Sequence, residues 1–248
     1  MTSSISQQEE NMLRKEEVLD ELKVFLVSYA DSISRIYGAA LPMPEELDPT
    51  ASTLWQTVVR AYEYGVEGKQ VSHFLGTPDV TVDPEVSDAD SFFHALSSDY
   101  MGNFLSEDGV GFPRKCERVI NMAIARHVLY GGLRDLSWEA SGFEEGGYLS
   151  IGEVALLADM DERSVRNAAA NKGEGRLMTE QVGKRSLVEI GEAKRWLAGR
   201  KGFVPSVGTE AAPVPPSMSA ATMQSLVEGA AAAGLSLDEF VQKRLLAA

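Results

Sequence analysis

The sequence predicts a mainly α fold: a helical N-terminal domain, a small winged helix-turn-helix with a β-hairpin wing, and a C-terminal helical hairpin. Three observations carry this. Apolar residues recur at steps of three and four through the first half of the chain. Between Tyr148 and Arg200, two short helical patterns, a basic β-prone hairpin and a closing helical pattern follow one another. A stretch rich in Pro, Gly, Ser and Ala then precedes a last pair of helical runs. The chain has 248 residues and is 44% hydrophobic, enough for one large or two ordinary domains with a true core. The boundaries read as an acidic helical domain over 1–141, the winged region over 148–201, a linker over 202–217 and the hairpin over 218–248.

Residues 1–10 are polar and expected to fray. From Met12 to Tyr37 the pattern is helical, with Leu19, Leu22, Leu26, Tyr29, Ile33 and Ile36 forming a seam. Such a seam suits either a core-facing amphipathic helix or a coiled coil with a second chain, and its short length favours the first. Leu41-Pro42-Met43-Pro44 breaks the chain. A helix follows from Ala51 to Tyr64, capped by Thr50, with Leu54, Trp55, Val58 and Tyr62 inward. Gly76 to Asp90 reads as a turn-rich acidic loop. Ser91 to Leu105 reads as a helix bearing the paired aromatics Phe92 and Phe93. Pro113 suits the first position of a further helix running to about Tyr130, with Val119, Ile120, Ala123 and Val128 buried. Gly142 to Gly147 reads as an interdomain hinge.

The region after Tyr148 has the clearest local signals. Ser150 and Glu153 form a capping box that starts a helix at Ile151. Ile151, Val154, Ala155 and Ala158 share one face of it. The helix stops near Asp159–Met160, with Met160 as an apolar plug in a tight turn. Asp161 caps a second helix from Glu162 to Asn171. Val165, Ala168 and Ala169 face the first helix. Arg163, Ser164, Arg166, Asn167 and Asn171 are left outward, followed by Lys172. These are side-chain types that reach phosphates and base edges: Arg pairs with guanine, Asn with adenine, Ser with phosphate. Gly173 and Gly175 are expected to end the helix. Arg176–Met178 and Leu187–Ile190 are β-prone, joined through Val182-Gly183-Lys184-Arg185-Ser186, so Lys184 and Arg185 form a basic tip. Ile190, Ala193, Trp196 and Leu197 make a closing helix with Trp196 as core plug.

Taken together, Tyr148-Leu149-Ser150, Glu153-Val154-Ala155, Ser164-Val165-Arg166, Val182-Gly183-Lys184-Arg185 and Arg195-Trp196-Leu197 resemble the excisionase-type DNA-binding domains, relatives of the MerR winged helices. The resemblance covers about a fifth of the chain. It implies a winged helix-turn-helix that places its second helix in the major groove and its wing on the DNA backbone. The phrase AAAAGLSLDEFVQKRLL near the C-terminus is similar to the helical half of ribbon-helix-helix proteins. That resemblance implies a dimerisation element. Pro213, Pro215 and Pro216 stand where its strand would lie and suit a ladder poorly.

Net charge is −14, at first sight unlike a DNA binder. The charge is unevenly distributed. Residues 1–148 carry 11 Lys+Arg against 25 Asp+Glu, whereas residues 163–201 carry 10 against 4. The acidity belongs to the N-terminal region, which would suit a basic protein partner or serve only solubility. The single cysteine, Cys116, excludes an intrachain disulfide. It stands among Arg114, Lys115 and Arg118, which would lower a thiol pKa, but a buried, inert cysteine is the favoured reading. There is no P-loop, dinucleotide fingerprint, zinc spacing or nucleophile elbow, so neither an enzyme nor a cofactor is expected. No signal-peptide pattern or membrane-length apolar run is seen, and a cytoplasmic protein is expected.

The expected function is a sequence-specific DNA-binding transcriptional regulator, homodimeric on two half-sites of double-stranded DNA. The alternatives are a recombination or segregation accessory DNA-binding factor, or an adaptor whose helix-turn-helix docks protein.

Overall fold

The computed structural model describes residues 13–37, 48–70, 83–97, 111–133, 147–173, 175–182 and 185–206. All of them belong to one unit, which extends to Thr209. The expected hairpin at 218–248, nearly all of the expected hinge and most of the expected linker lie outside the described residues. Among those residues the fold is mainly helical, with seven α-helices and a small antiparallel sheet.

Helix α1, Lys15–Tyr37, buries Val18, Leu22 and Phe25 on one stripe. Leu26 and Tyr29 pack beside them. The inward stripe is therefore rotated by about one residue from the expected Leu19–Leu22–Leu26 seam. A 3₁₀ turn, Pro49–Ala51, is capped by the Asp48 carboxylate, which accepts the Thr50 N–H at 2.9 Å. It leads into α2, Thr53–Gly65, where Ser52 and not Thr50 is the cap, accepting the Trp55 N–H at 3.1 Å. Helix α3, Pro84–Leu96, begins inside the expected acidic loop. Asp83 caps it and Pro84 occupies its first turn, where a missing N–H costs nothing. Phe93 is buried, and Phe92 packs edge-on against Phe25 and Tyr29.

Helix α4, Arg114–Leu129, is the spine of the fold. Pro113 precedes it and offers no side-chain cap. The cap comes instead from α1: the Glu21 carboxylate accepts the N–H groups of Lys115 at 2.8 Å and Cys116 at 3.1 Å. This satisfies two of the orphan donors of the first turn and places a negative charge at its positive end. Gly65 of α2 lies so close to α4 that an added Cβ would stand 2.7 Å from the Ala123 nitrogen. The first half of α4, through Cys116, Val119, Ile120 and Ala123, shares a core with α1–α3. Its last turns, through Ala125, Val128 and Leu129, share a second core with buried residues between Leu149 and Leu197.

The rest is built on that second core. Strand β1, Tyr148–Ser150, leads directly into α5, Ile151–Leu157, and α6 spans Glu162–Ala170. Strand β2, Glu180–Val182, strand β3, Arg185–Glu189, and α7, Ile190–Leu197, follow. The sheet order is β1-β3-β2, both pairs antiparallel, with Leu149 opposite Val188 and Val182 opposite Arg185. The expected strand at Arg176–Met178 is displaced to Glu180–Val182. Leu177 instead plugs the core, its N–H bonded to the Ala168 carbonyl at 3.3 Å, and the Met178 N–H is taken by Glu192 at 2.7 Å. With those amides committed to helices, no ladder can form there.

The first residues of the expected linker are also folded in. Arg126 of α4, 1% exposed, donates to the Val204 carbonyl at 2.6 Å, the Ser206 hydroxyl at 3.1 Å and the Gly65 carbonyl at 3.1 Å. The Phe203 ring lies against its guanidinium. Residues 203–206 thus run back across α4 to the end of α2. No described helix is long and apolar enough to cross a membrane.

Candidate functional site

The local signals after Tyr148 act as their chemistry requires. Ser150 accepts the Glu153 N–H at 3.2 Å, and Glu153 accepts the Ser150 N–H at 2.6 Å, so the capping box is complete. Helix α5 ends in a turn where Asp159 adopts a left-handed φ of 50°, a conformation that asparagine and aspartate tolerate better than most residues. Its carboxylate is held by Arg118 of α4 at 2.9 Å. The backbone of residue 202 covers the same turn, since a Cβ at Gly202 would stand 2.4 Å from the Ala158 carbonyl oxygen.

Asp161 then starts α6. It accepts the Ser164 N–H at 2.8 Å and the Ser164 hydroxyl at 2.6 Å, and these two bonds, the hydroxyl first, hold its carboxyl below the usual range. The Ser164 side chain is thus half-buried and occupied in the cap. Val165 faces the core, whereas Arg163, Arg166 and Asn167 stand on the exposed face. Arg166 is not isolated there: its Nε and Nη2 donate to Glu162 Oε1 at 3.0 and 2.5 Å. Helix α6 ends at Ala170, earlier than the expected glycine stop. Asn171 is its extended C-cap, and its side-chain oxygen accepts the Gly173 N–H at 3.3 Å. The left-handed glycine is Gly175, φ 86°, in the connection beyond. Lys172 is exposed on that connection.

Val182 pairs with Arg185 at the end of the β2–β3 ladder, and Lys184 lies outside the described residues. Arg185 and Ser186 are exposed on β3, and the Ser186 hydroxyl donates to Gln181 across the hairpin at 3.2 Å. Between α6 and this strand lies an open groove of about 560 Å³, lined by Glu162 and Arg166 on one wall and Arg185 and Ser186 on the other. Ser150 and Gly152, at the start of α5, close one side of it. Gly152 leaves the groove open, for a Cβ there would meet nothing nearer than 3.8 Å.

The fold therefore brings Arg166 and Arg185 to one concavity, keeps Arg163 and Asn167 on the adjoining helix face, and puts Asn171 and Lys172 past the helix end. Glu162 and Ser186 also belong to this surface. Sequence reasoning passes over Glu162 as a helix-start residue, although its four-residue spacing to Arg166 marks them as neighbours. Two other basic residues of the region are committed elsewhere. Arg195 is paired with Glu192 at 2.6 Å and donates to the Arg176 carbonyl at 2.8 Å, and Arg200 stacks on Trp196.

Cys116 sits in the first core, fully buried. Burial pushes its thiol well above the ordinary range, and the nearby Glu21 carboxylate adds to that shift against the weaker pull of Lys115. Its thiol faces the Val18 carbonyl, not solvent. No group of His, Cys, Asp and Glu among the described residues is arranged to hold a metal ion. Compared with protein-family models, curated proteins and solved structures, the chain matches none.

Proposed function

We propose that this chain is a sequence-specific DNA-binding transcriptional regulator whose residues 148–200 form a winged helix-turn-helix. The observation that supports this most is the groove where Arg166 of α6 and Arg185 of the hairpin meet, with Arg163 and Asn167 exposed on the adjoining face of the same helix. A recognition helix enters the major groove with its N-terminal residues toward base edges, and a flanking hairpin grips the adjacent backbone. Here α6 supplies the helix, with Arg163, Arg166 and Asn167 as its readers and Ser164 holding its first turn. Asn171, Lys172, Lys184 and Arg185 reach backbone phosphates. A single module of this size makes few contacts, so we infer a homodimer on two half-sites. The acidic N-terminal helices would carry the dimer contact or receive a protein partner.

The test is a gel shift of the full chain against DNA from its own genomic neighbourhood, at low and physiological salt. Specific binding predicts a discrete shift at physiological salt. Arg166→Ala should weaken it by about 1–3 kcal/mol if the guanidinium reads a base. Arg185→Ala should weaken binding to all sequences and flatten the salt dependence. No shift at either salt would sink the reading and leave protein docking as the better account of this surface.

A further inference from the structure

Glu162 is out of place on a surface that only grips phosphate. A carboxylate there repels the DNA backbone, and its charge offsets that of Arg166 beside it, which weakens the pull of that end of α6 on a phosphate. The geometry suits another task. Glu162 Oε1 engages the Nε and Nη2 side of the guanidinium, leaving the end fork, Nη1 and the outer hydrogen of Nη2, unoccupied. That end fork is the edge that pairs with the O6 and N7 of guanine. The Glu162 side chain is 49% exposed and lines the groove, and a carboxylate accepts from the exocyclic amino group of cytosine. Glu162 opens α6 and Arg166 stands at its middle, one turn on, toward the N-terminal part of a recognition helix that faces base edges, and both border the groove that Arg185 also lines.

We propose that Glu162 is a specificity residue. It holds Arg166 with its end fork presented to guanine, accepts from a neighbouring cytosine, and excludes phosphate from that end of α6. The ligand is thus a duplex whose half-site carries a guanine with a cytosine beside it at one fixed position. This inference rests on the DNA-binding reading above. It assigns Glu162 to selectivity and not to affinity. Removing its charge therefore strengthens binding to unrelated sequence while blurring the preference at one position.

The test is selection of binding sites from a randomised duplex library by the full chain, by Glu162→Gln and by Arg166→Lys. Glutamine keeps the size of the side chain and leaves the Asp161 cap untouched, and circular dichroism checks that each variant is folded. The expected result is a wild-type motif with one strong guanine position. In Glu162→Gln that preference should fall by about five- to a hundredfold, the range spanned by one good base contact, while the other positions persist and non-specific affinity rises. Arg166→Lys, which keeps the charge but lacks the fork, should relax the same position. A Glu162→Gln motif identical to wild type would overturn the inference and leave the DNA-binding reading standing. So would a uniform loss across all positions. A wild-type chain that enriches no motif would overturn both.

Discussion

Before Tyr130, three ion pairs join elements far apart in the sequence, Lys15 to Glu63, Lys115 to Glu17 and Arg60 to Glu85, beside the local pairs Arg14–Glu17 and Lys69–Glu67. After Gly147 the pairs Glu162–Arg166 and Glu192–Arg195 each lie within one helix. The first kind restrains how helices sit on one another. The second kind restrains a single side chain and leaves it on an exposed face, where a ligand can engage its unused edge. Partly exposed pairs of either kind contribute little stability, on the order of 0–1 kcal/mol. Their value lies in what they orient. The N-terminal acidity is thus partly committed to architecture, whereas the charges of α6 remain available for recognition. The Arg118–Asp159 pair crosses between the regions and ties the spine to the turn before α6.

The contrast between the regions breaks most easily at α4. If the two cores are coupled through that helix, damage to the second must lower the stability of the first. Trp196 is 2% exposed and fills the second core. Trp196→Ala should cost about 3–5 kcal/mol, with tryptophan fluorescence, now reporting Trp55 and Trp138, and far-UV circular dichroism still giving one shared urea transition. Two separate transitions would show that the regions fold independently.

Arg126 sharpens the same point, because it ties residues 203–206 to α2 through α4. Arg126→Met removes the charge but strands the Gly65 and Val204 carbonyls. It should cost about 1–3 kcal/mol for each acceptor left unpaired, and should speed amide exchange around residues 203–206. Unchanged exchange there would mean that the strap is held by something else.

Alkaline pH should act through the spine itself. Burial raises the Cys116 thiol, and burial likewise raises the Tyr64 phenol of α2. The folded chain keeps protons that the unfolded chain releases from about pH 8.5 for cysteine and about 10 for tyrosine. Stability from these groups is therefore fully present below about pH 8 and declines as pH rises beyond it. Urea midpoints between pH 7 and 10 should fall, and Cys116→Ala should flatten the early part of that fall. A midpoint independent of pH would refute the burial of an ionisable thiol. On the acid side the sign reverses for Asp161, whose lowered pKa means that its cap is intact above about pH 4 and fails as pH drops through the folded value.

The smallest effect belongs to the cap of α6. Asp161→Ala should lower the urea midpoint only slightly, with fraying confined to the first turn of that helix. Because Glu162 and Arg163 sit in that turn and Arg166 is paired to Glu162, site selectivity should suffer more than global stability. Equal loss in both would place the cap in the core's cooperative unit.

What could be read from the sequence is what short-range chemistry decides. The Ser150–Glu153 box, the Asp161 cap, the order of α5, turn and α6, the strand near Leu187 and the closing helix with Trp196 all follow from groups a few residues apart. The exposed arginine face of α6 follows from the same helical period that buries Val165. Tertiary structure alone decided the rest. The extended stretch Tyr148–Ser150 becomes a strand only because β3 lies beside it, and Arg176–Met178 fails to become one because α6 and α7 take its amides. The inward stripe of α1 is set by what α2, α3 and α4 present to it, and a periodic seam of apolar residues leaves a one-residue rotation open. Glu21 caps a helix nearly a hundred positions away. Arg126, a residue whose type predicts exposure, is buried because three acceptors from distant segments converge on it. Local signals specify where an element starts and which faces it has. Which face is covered, and by what, is settled only when the non-local partners arrive.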